Sequence, residues 1–430
     1  MSAVREVRLV QVNPGVNANK FYVCSLDASG TLTKRWGRVG ASGQTKIEPG
    51  AGVRGFENAV YAKERRGYRR VDTADTPVTG VASVNTALVA QAAKQALTAN
   101  TTDPALTTLV DRIATANRHA ITTASGGRIT FTATGAATTA LGPVRPAAVA
   151  QARLLLDRIA ALPTTDPARS ALVAEYLTVI PQKVGARRGW DATFAATASA
   201  LATQHDLLDA LEAVTATTVT DATPTITFRY TVALADPDTT AKIAAKFETE
   251  KHPSHPSARL HVQRVYALTD DAAHSAAFDE VAAQVRNRHL WWHGSRTHNL
   301  LNILRTGLVV SSAARSSGLD FHGAMFGPGA YFGRSTKAAN YSIGGVWDTQ
   351  RDSGPVYVFV ADIACGSEFR STDPAWAKHG WRGSRSTRNP RGKAWDSVYV
   401  KGGTAGVIND ERVIWNGDQI RLAYLVELGQ

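Results

Sequence analysis

Residues 290–296 read Leu290-Trp291-Trp292-His293-Gly294-Ser295-Arg296. Bulky apolar and aromatic residues favour strands, and a glycine at a strand end lets another backbone or a ligand approach closely. The stretch is read as a strand, His289–His293, that carries His293 to its end. Taken alone, a histidine so placed more often serves packing than chemistry, so its neighbours in the chain decide its meaning.

Downstream lie Met325-Phe326-Gly327-Pro328-Gly329-Ala330-Tyr331-Phe332-Gly333 and then Ser335-Thr336-Lys337-Ala338-Ala339-Asn340-Tyr341. The pattern predicts a glycine-rich turn, a short strand and a helix over Ser335–Tyr341. The glycine spacing is one residue longer than the dinucleotide-binding fingerprint and no βαβ unit precedes it, which excludes a Rossmann site. By default the two tyrosines are core aromatics. Further on, Asn409-Asp410-Glu411-Arg412-Val413-Ile414-Trp415 puts a carboxylate at the start of an apolar strand, ordinarily a surface turn charge.

Around these motifs, period-two alternation predicts strands over Ile226–Leu234, Leu260–Leu268, Val356–Ala361, Ser397–Val400, Arg412–Trp415 and Ile420–Leu428. Helices are expected over Ala272–Val285 and Thr297–Arg305. Residues 222–430 thus read as a sheet-rich α+β domain. Residues 82–218 read as an all-α domain, with amphipathic runs at Val149–Leu162, Leu172–Ile180 and Leu201–Val214. Within it, Thr122–Gly142 is left open between a small hairpin over 128–134 and a mobile stretch. Residues 1–78 read as a small antiparallel sheet (Val4–Val12, Phe21–Leu26, Leu32–Val39) followed by a helix over Asn58–Arg70, with a linker at Val71–Gly80. The fold class is multidomain α+β.

The formal net charge of +12 is unevenly spread: residues 1–75 carry +6, residues 76–285 −1 and residues 286–430 +7. Basic ends favour phosphate-rich partners through attraction and counterion release, although a solvated basic surface gives the same totals. Two cysteines, Cys24 and Cys365, supply neither a disulfide framework nor a zinc finger and point to a reducing, intracellular setting. No apolar run is long enough for a membrane span, and Met1–Pro14 lacks a signal-peptide core.

In this order, the three motifs resemble the His-Tyr-Glu signature of the poly(ADP-ribose) polymerase catalytic domain: Trp292 to Arg296, then Met325 to Phe332 with Lys337, Asn340 and Tyr341, then Asn409 to Trp415. Upstream, Lys34-Arg35-Trp36-Gly37-Arg38-Val39-Gly40 resembles the motif that names the WGR domain. Leu141-Gly142, the helix from Val149 and Glu175 to Pro181 resemble, more weakly, the family's helical regulatory domain.

The resemblance implies an enzyme that breaks the bond between nicotinamide and ribose in NAD⁺, with no cofactor beyond that co-substrate and no metal. The transition state has oxocarbenium character. It implies catalytic roles for His293, Tyr331 and Glu411. Tyr331 and Tyr341 would sandwich the nicotinamide ring, each aromatic pair adding about 0.5–1.5 kcal/mol. The Gly294 backbone would pair with the carboxamide. His293 would act as a donor to the adenosine ribose, with Ser295, Arg296 and Asn299 also on the NAD⁺ side. Glu411 would hold the nicotinamide-ribose 2′-hydroxyl, and Lys337 and Met325 would meet the acceptor. Ala338 departs from a family serine that bonds the carboxamide, a loss of about 0.5–1.5 kcal/mol unless Ser335 or Thr336 compensates. Pro328 replaces a residue that is often basic.

For the first domain the resemblance implies binding to DNA strand breaks, with Trp36 stacking at the end and Lys34, Arg35, Lys46 and Arg54 on phosphates. Arg38 would instead reach the helical domain. The implied protein is inhibited by its helical domain until DNA binds, and modifies acceptor proteins including itself. A mono-ADP-ribosyltransferase and a silent DNA-end-binding scaffold are the alternatives. The layout resembles the shorter family members, and the Ala/Thr/Arg-heavy composition favours a bacterial cytoplasm near the nucleoid, or a nucleus if the source is eukaryotic.

Overall fold

In the computed structural model, the alternation of the first forty residues becomes three strands of a five-stranded antiparallel sheet. Its strands are β1 (Ala3–Asn13), β2 (Ala18–Asp27), β3 (Leu32–Arg38), β4 (Gln44–Glu48) and β5 (Arg69–Arg70), in the order β4-β3-β2-β1-β5. Helix α1 (Gly52–Glu64) lays Phe56 and Val60 on Leu9, Tyr22, Cys24, Leu26 and Leu32. This helix begins and ends six residues earlier than expected. Gly67 takes a positive φ of 83°, the chain turns there, and Arg69 and Arg70 pair with β1 instead of extending the helix. The described residues are 3–71, 93–98, 103–124, 130–131, 137–139, 142–185, 187–215, 218–220, 223–225, 227–308, 326, 329–343, 354–371 and 394–430. Apart from Val71, the expected linker lies outside them.

The middle of the chain holds α2 (Pro104–Ala124), α3 (Pro146–Ala160), α4 (Pro167–Val179), α5 (Trp190–Thr193) and α6 (Ala198–Thr215). Proline opens α3 and α4 at the position where its missing N–H costs nothing, and Asp166 caps α4 by accepting from the Ala168 N–H at 2.8 Å. Leu155, Leu156, Ile159, Tyr176, Leu177, Leu207, Leu208 and Leu211 share one core. The block is not all-α. Strands β6 (Thr130–Phe131), β7 (Ala137–Thr139) and β8 (Gly142–Pro143) form a small antiparallel sheet, and β9 (Thr218–Thr220) pairs with β10 (Thr223–Thr225). Threonine is β-branched and prefers a pleated backbone, which favours strands in these Thr-rich segments.

The last two hundred residues build two sheets. In order along the chain these are β11 (Tyr230–Leu234), α7 (Pro237–Thr249), β12 (His261–Asp270), α8 (Ala272–Val285), β13 (Arg288–Gly294), α9 (Leu300–Thr306), β14 (Ala330–Phe332), α10 (Ser335–Ile343), β15 (Val356–Ala364), β16 (Glu368–Ser371), β17 (Ser397–Val400), β18 (Glu411–Ile414) and β19 (Ile420–Gly429). One sheet runs β11-β12-β19-β15-β13, antiparallel throughout. The other runs β14-β18-β17-β16, with β16 and β17 parallel. Helix α7 was not anticipated. Asp236 caps it, accepting from the Thr239 N–H at 2.8 Å, and Pro237 starts it.

The chain divides into two compact units, Met1–Val89 with Arg118–Ile226, and Ala90–Asn117 with Thr227–Gln430. Among the described residues, no helix is long and apolar enough to cross a membrane.

Candidate active site

Strand β13 is the last strand of its sheet. It pairs with β15 on one side, and on the other Trp292 exchanges backbone hydrogen bonds with Gly333 at 2.9 and 3.4 Å. Backbone groups alternate sides along an antiparallel strand. The N–H and C=O of Gly294, two residues on from Trp292, therefore point along the same outer edge. Gly294 is also required by packing. A Cβ there would meet the Ala338 carbonyl oxygen at 1.9 Å and the Tyr341 Cβ at 2.9 Å. Only glycine lets α10 come this close.

His293 lies on the opposite face from Trp292. Its Nδ1 is 2.8 Å from the Tyr331 carbonyl oxygen, and its ring is 5.6 Å from that of Phe332. A carbonyl only accepts, so Nδ1 carries the hydrogen. Burial lowers the pKa of the ring, against the opposing effect of the Tyr331 bond, so it is neutral near pH 7. Nε2 then presents a lone pair. In this tautomer Nε2 accepts and does not donate, the opposite polarity to the donor expected from the sequence.

Strand β14 links the two sheets, since Tyr331 pairs with Val413 of β18 and Phe332 with Arg412. The Tyr331 hydroxyl accepts the Phe326 N–H at 2.9 Å, and burial raises the phenol's pKa, with Tyr341 adding to the rise. Tyr341 itself is 47% exposed and stands beside Gly294. Glu411 begins β18, is buried, and forms an ion pair with Lys337 of α10. The Lys337 stem runs along Gly333. His293, Tyr331, Lys337 and Glu411, scattered over 119 positions of sequence, are therefore joined around β14 and Gly333.

Ser295 donates its N–H to the Ser342 hydroxyl at 3.2 Å. The amide of Asn299 reaches the Ser295 hydroxyl at 3.5 Å, leaving its buried carbonyl oxygen without a partner among the described residues. Arg296 precedes the short helical turn Thr297–Asn299. Met325, Gly327 and Pro328 lie outside the described residues. Ser335 and Thr336, the candidates to compensate for Ala338, are both engaged with other residues. Ser335 donates to the Phe247 carbonyl at 2.8 Å, and Thr336 accepts from the His252 N–H at 3.0 Å while contacting His255. Asp270, Asp271 and His274 could group around an ion, but Asp270 already binds Arg229 at 2.8 Å through both oxygens and Asp271 caps α8.

In the N-terminal sheet, Lys34 and Trp36 share the α1 face of β3, and Arg35 projects to the other face, over Phe21 at 5.1 Å. Lys34 and Lys46 both hold Glu48, at 2.6 and 2.9 Å. Arg54 is exposed on α1. The five residues expected on DNA thus do not form one surface. Lys63, which the sequence reading passed over, joins the Trp36 face: its Nζ is 4.6 Å from the Tyr22 ring, itself 6.5 Å from Trp36. Arg38 donates to the Gly185 carbonyl at 2.7 Å and the Asn17 carbonyl at 3.0 Å, and the Trp190 indole donates to the Asn17 side chain at 3.1 Å.

Residues 238–430 match the poly(ADP-ribose) polymerase catalytic domain, and residues 5–75 match the WGR domain. The chain therefore carries a poly(ADP-ribose) polymerase catalytic domain and a WGR domain. It is similar to poly [ADP-ribose] polymerase 2 of Zea mays, at 25% identity over 79% of this chain and 55% of the relative. Poly [ADP-ribose] polymerase 1 of Oryza sativa subsp. japonica is 26% identical over 44% of this chain and 20% of its own length. Poly [ADP-ribose] polymerase 2 of Homo sapiens is 25% identical over 44% of this chain and 34% of its own length. The chain thus spans about half or less of these relatives. The poly(ADP-ribose) polymerase domain contains His293, Tyr331, Lys337 and Glu411, and the WGR domain contains Trp36 and Arg38.

Proposed function

We propose that this chain transfers ADP-ribose from NAD⁺ to proteins, itself included, and releases nicotinamide. The observation that carries this reading is the meeting of His293, Tyr331 and Glu411 around β14, beside the outward backbone edge of Gly294. That edge offers one donor and one acceptor, the complement of a carboxamide. Tyr331 and Tyr341 flank it as stacking surfaces for the nicotinamide ring. Nε2 of His293 and the free Asn299 oxygen accept from hydroxyls or the amine of the adenosine half, with Ser295 and Arg296 beside them. Glu411 sets negative charge near the bond that breaks, and stabilisation of developing charge by a fixed group typically contributes about 3–4 kcal/mol. Lys337 and Met325 belong to the acceptor side. No metal enters this scheme, and NAD⁺ is its only small-molecule co-substrate.

Polymer formation and DNA-break dependence belong to the same proposal. Trp36, Lys34, Lys46 and Lys63 on one WGR face supply a stacking ring and cations for a DNA end. The Arg38 and Asn17 bonds to Gly185 and Trp190 tie that domain to the helical block, a mechanical route for relieving inhibition. The buried, unpaired thiols fit a reducing, intracellular site of action.

The test is NAD⁺ consumption by the full chain with and without nicked or blunt duplex DNA, with Glu411→Gln as control. Nicotinamide release that rises with DNA and falls in the variant supports the whole reading. Equal rates with and without DNA remove the regulatory part. A single adduct on a gel, in place of a ladder, restricts the enzyme to mono-ADP-ribosylation. No release at all leaves a DNA-binding scaffold.

A further inference from the structure

Across the four-stranded sheet from Glu411 lies an open groove of about 540 Å³. Successive residues on a strand project to opposite faces. Val398, Val400 and Val413 pack together on one side with Phe326 and Trp415, so Arg412 and Tyr399 point to the other, away from Glu411.

Four permanent cations line this groove: Lys246 from α7, Arg288 from β13, Arg334 from the turn before α10, and Arg412 from β18. Among the described residues, no carboxylate lines it. The acids that hold the cations stand behind them. Glu250 holds Lys246, Asp362 holds Arg288, Asp410 takes Arg334 at 2.6 Å, and Glu368 takes Arg412 at 2.6 Å. Trp291 supports the guanidinium groups of Arg334 and Arg412, at 4.9 and 4.3 Å from its ring centre, and Tyr399 supports Arg412 at 4.8 Å. Planar cations fixed by rings and rear carboxylates lose little freedom on meeting an anion.

We propose that this groove binds the diphosphate group of an ADP-ribose unit at a site separate from the catalytic cleft. This rests on the transferase reading, which makes ADP-ribose the group this protein handles. Several cations around one cavity suit a compact doubly charged group better than the spaced single charges of a nucleic-acid strand. Trp291 and Tyr399 already carry guanidinium groups, so they do not offer the bare ring faces on which successive bases of a single strand stack.

The experiment is calorimetric titration of the full chain with inorganic pyrophosphate and with ADP-ribose, repeated on a Lys246→Gln, Arg288→Gln double variant. Neither substitution strands a carboxylate. Glu250 keeps Arg334 at 3.4 Å and the Trp292 indole at 2.8 Å, and Asp362 keeps Arg421 at 3.4 Å. Pyrophosphate binding is expected to weaken about tenfold or more, a loss of about 1.4 kcal/mol. The ADP-ribose isotherm is expected to lose one of two sites, with the NAD⁺ KM unchanged. Unchanged pyrophosphate affinity overturns the proposal, as does displacement of pyrophosphate by a single-stranded oligonucleotide more readily than by ADP-ribose. Nicotinamide release is measured on the same preparations with nicked duplex DNA added. Its absence from the wild type defeats the transferase reading, whereas normal release with unchanged pyrophosphate binding defeats the groove alone. Arg288→Gln by itself, at a side chain 46% exposed, carries the test if the double variant does not fold.

Discussion

The ammonium of Lys337 lies against the carboxylate of Glu411, and both are largely withdrawn from water, with side chains 20% and 7% exposed. A buried charge needs its partner, and removing one member leaves the other uncompensated. Glutamine at position 411 keeps the shape and hydrogen-bonding capacity but not the charge. Glu411→Gln is therefore expected to cut nicotinamide release about 10²–10³-fold, the usual effect of losing one transition-state contact. The NAD⁺ KM should stay within a few-fold. Steady-state kinetics separate the two, and a purely KM effect would place Glu411 outside the chemistry.

Lys337 carries the pH prediction. Burial pushes its pKa down to about 8, from an ordinary 10.5. The ammonium that would meet an acceptor's diphosphate is thus charged below this range and lost as pH rises through it. Elongation should fall at and above about pH 8. Lys337→Arg, whose guanidinium stays charged, should carry elongation further into the alkaline range. Linkage runs the opposite way. Between about 8 and 10.5 the unfolded chain binds more protons at this lysine than the folded one, so its contribution to stability rises with pH. Product ladders across a pH series decide the matter, and identical alkaline limbs for lysine and arginine would sink it.

Gly294 tolerates nothing larger. A methyl group there falls 1.9 Å from the Ala338 carbonyl oxygen, a backbone atom that moves only with α10. Gly294→Ala is expected to cost about 1–3 kcal/mol, the range for overpacked sites. It should also abolish binding of nicotinamide mimics, because α10 carries Tyr341. Thermal unfolding and mimic titration read the two effects, and an alanine variant with wild-type melting temperature and affinity would contradict this packing.

Much of this arrangement is legible in the chain because its signals are local. The strand into His293, the turn before Tyr331 and the apolar run after Glu411 each announce themselves by composition. Period two alone separates Arg35 from Lys34 and Trp36, a distinction a single basic motif hides. Helix α7 had a sequence signal too, Asp236 followed by Pro237. By contrast, β4 is nearly all exposed, so its residues show no apolar alternation. The polarity of His293 rests on a carbonyl 38 positions away, and the engagement of Ser335 and Thr336 on Phe247 and His252, more than 80 positions upstream. Non-local partners of this kind leave no mark on the spacing of the residues themselves.

Arg38 joins β3 to the loop at Gly185, and Asn17 receives both Arg38 and the Trp190 indole. Hydrogen bonds from a charged group contribute about 1.5–3 kcal/mol when buried. Part exposure reduces this, so Arg38→Ala should destabilise by about 1 kcal/mol. Its larger effect is expected on regulation, with DNA stimulation of NAD⁺ turnover falling several-fold while DNA affinity holds. Trp36→Ala should do the reverse and weaken DNA binding itself. Equal loss of affinity in both variants would assign Arg38 to the DNA surface instead.

Asp157 of α3 offers a test of the helical block. Burial pushes its carboxyl up to about 6, only partly offset by Arg153, which is engaged by Asp209 and Glu212 at 2.7 and 2.8 Å. The folded state therefore holds a proton at this site that the unfolded state has released, in the window from 3.8 to about 6. Asp157's favourable contribution is complete below that window and lost as pH rises through it. Asp157→Asn should accordingly raise stability at pH 7, by about 1–2 kcal/mol allowing for part exposure. The gain should vanish below about pH 4. His205 on α6, lowered to about 4 by burial and then by Arg153, titrates in the opposite sense, but it is common to both proteins and cancels in the difference. Thermal unfolding of the pair at the two pH values measures the effect. An asparagine variant less stable at pH 7 would mean that Asp157 is paired, not stranded, between these helices.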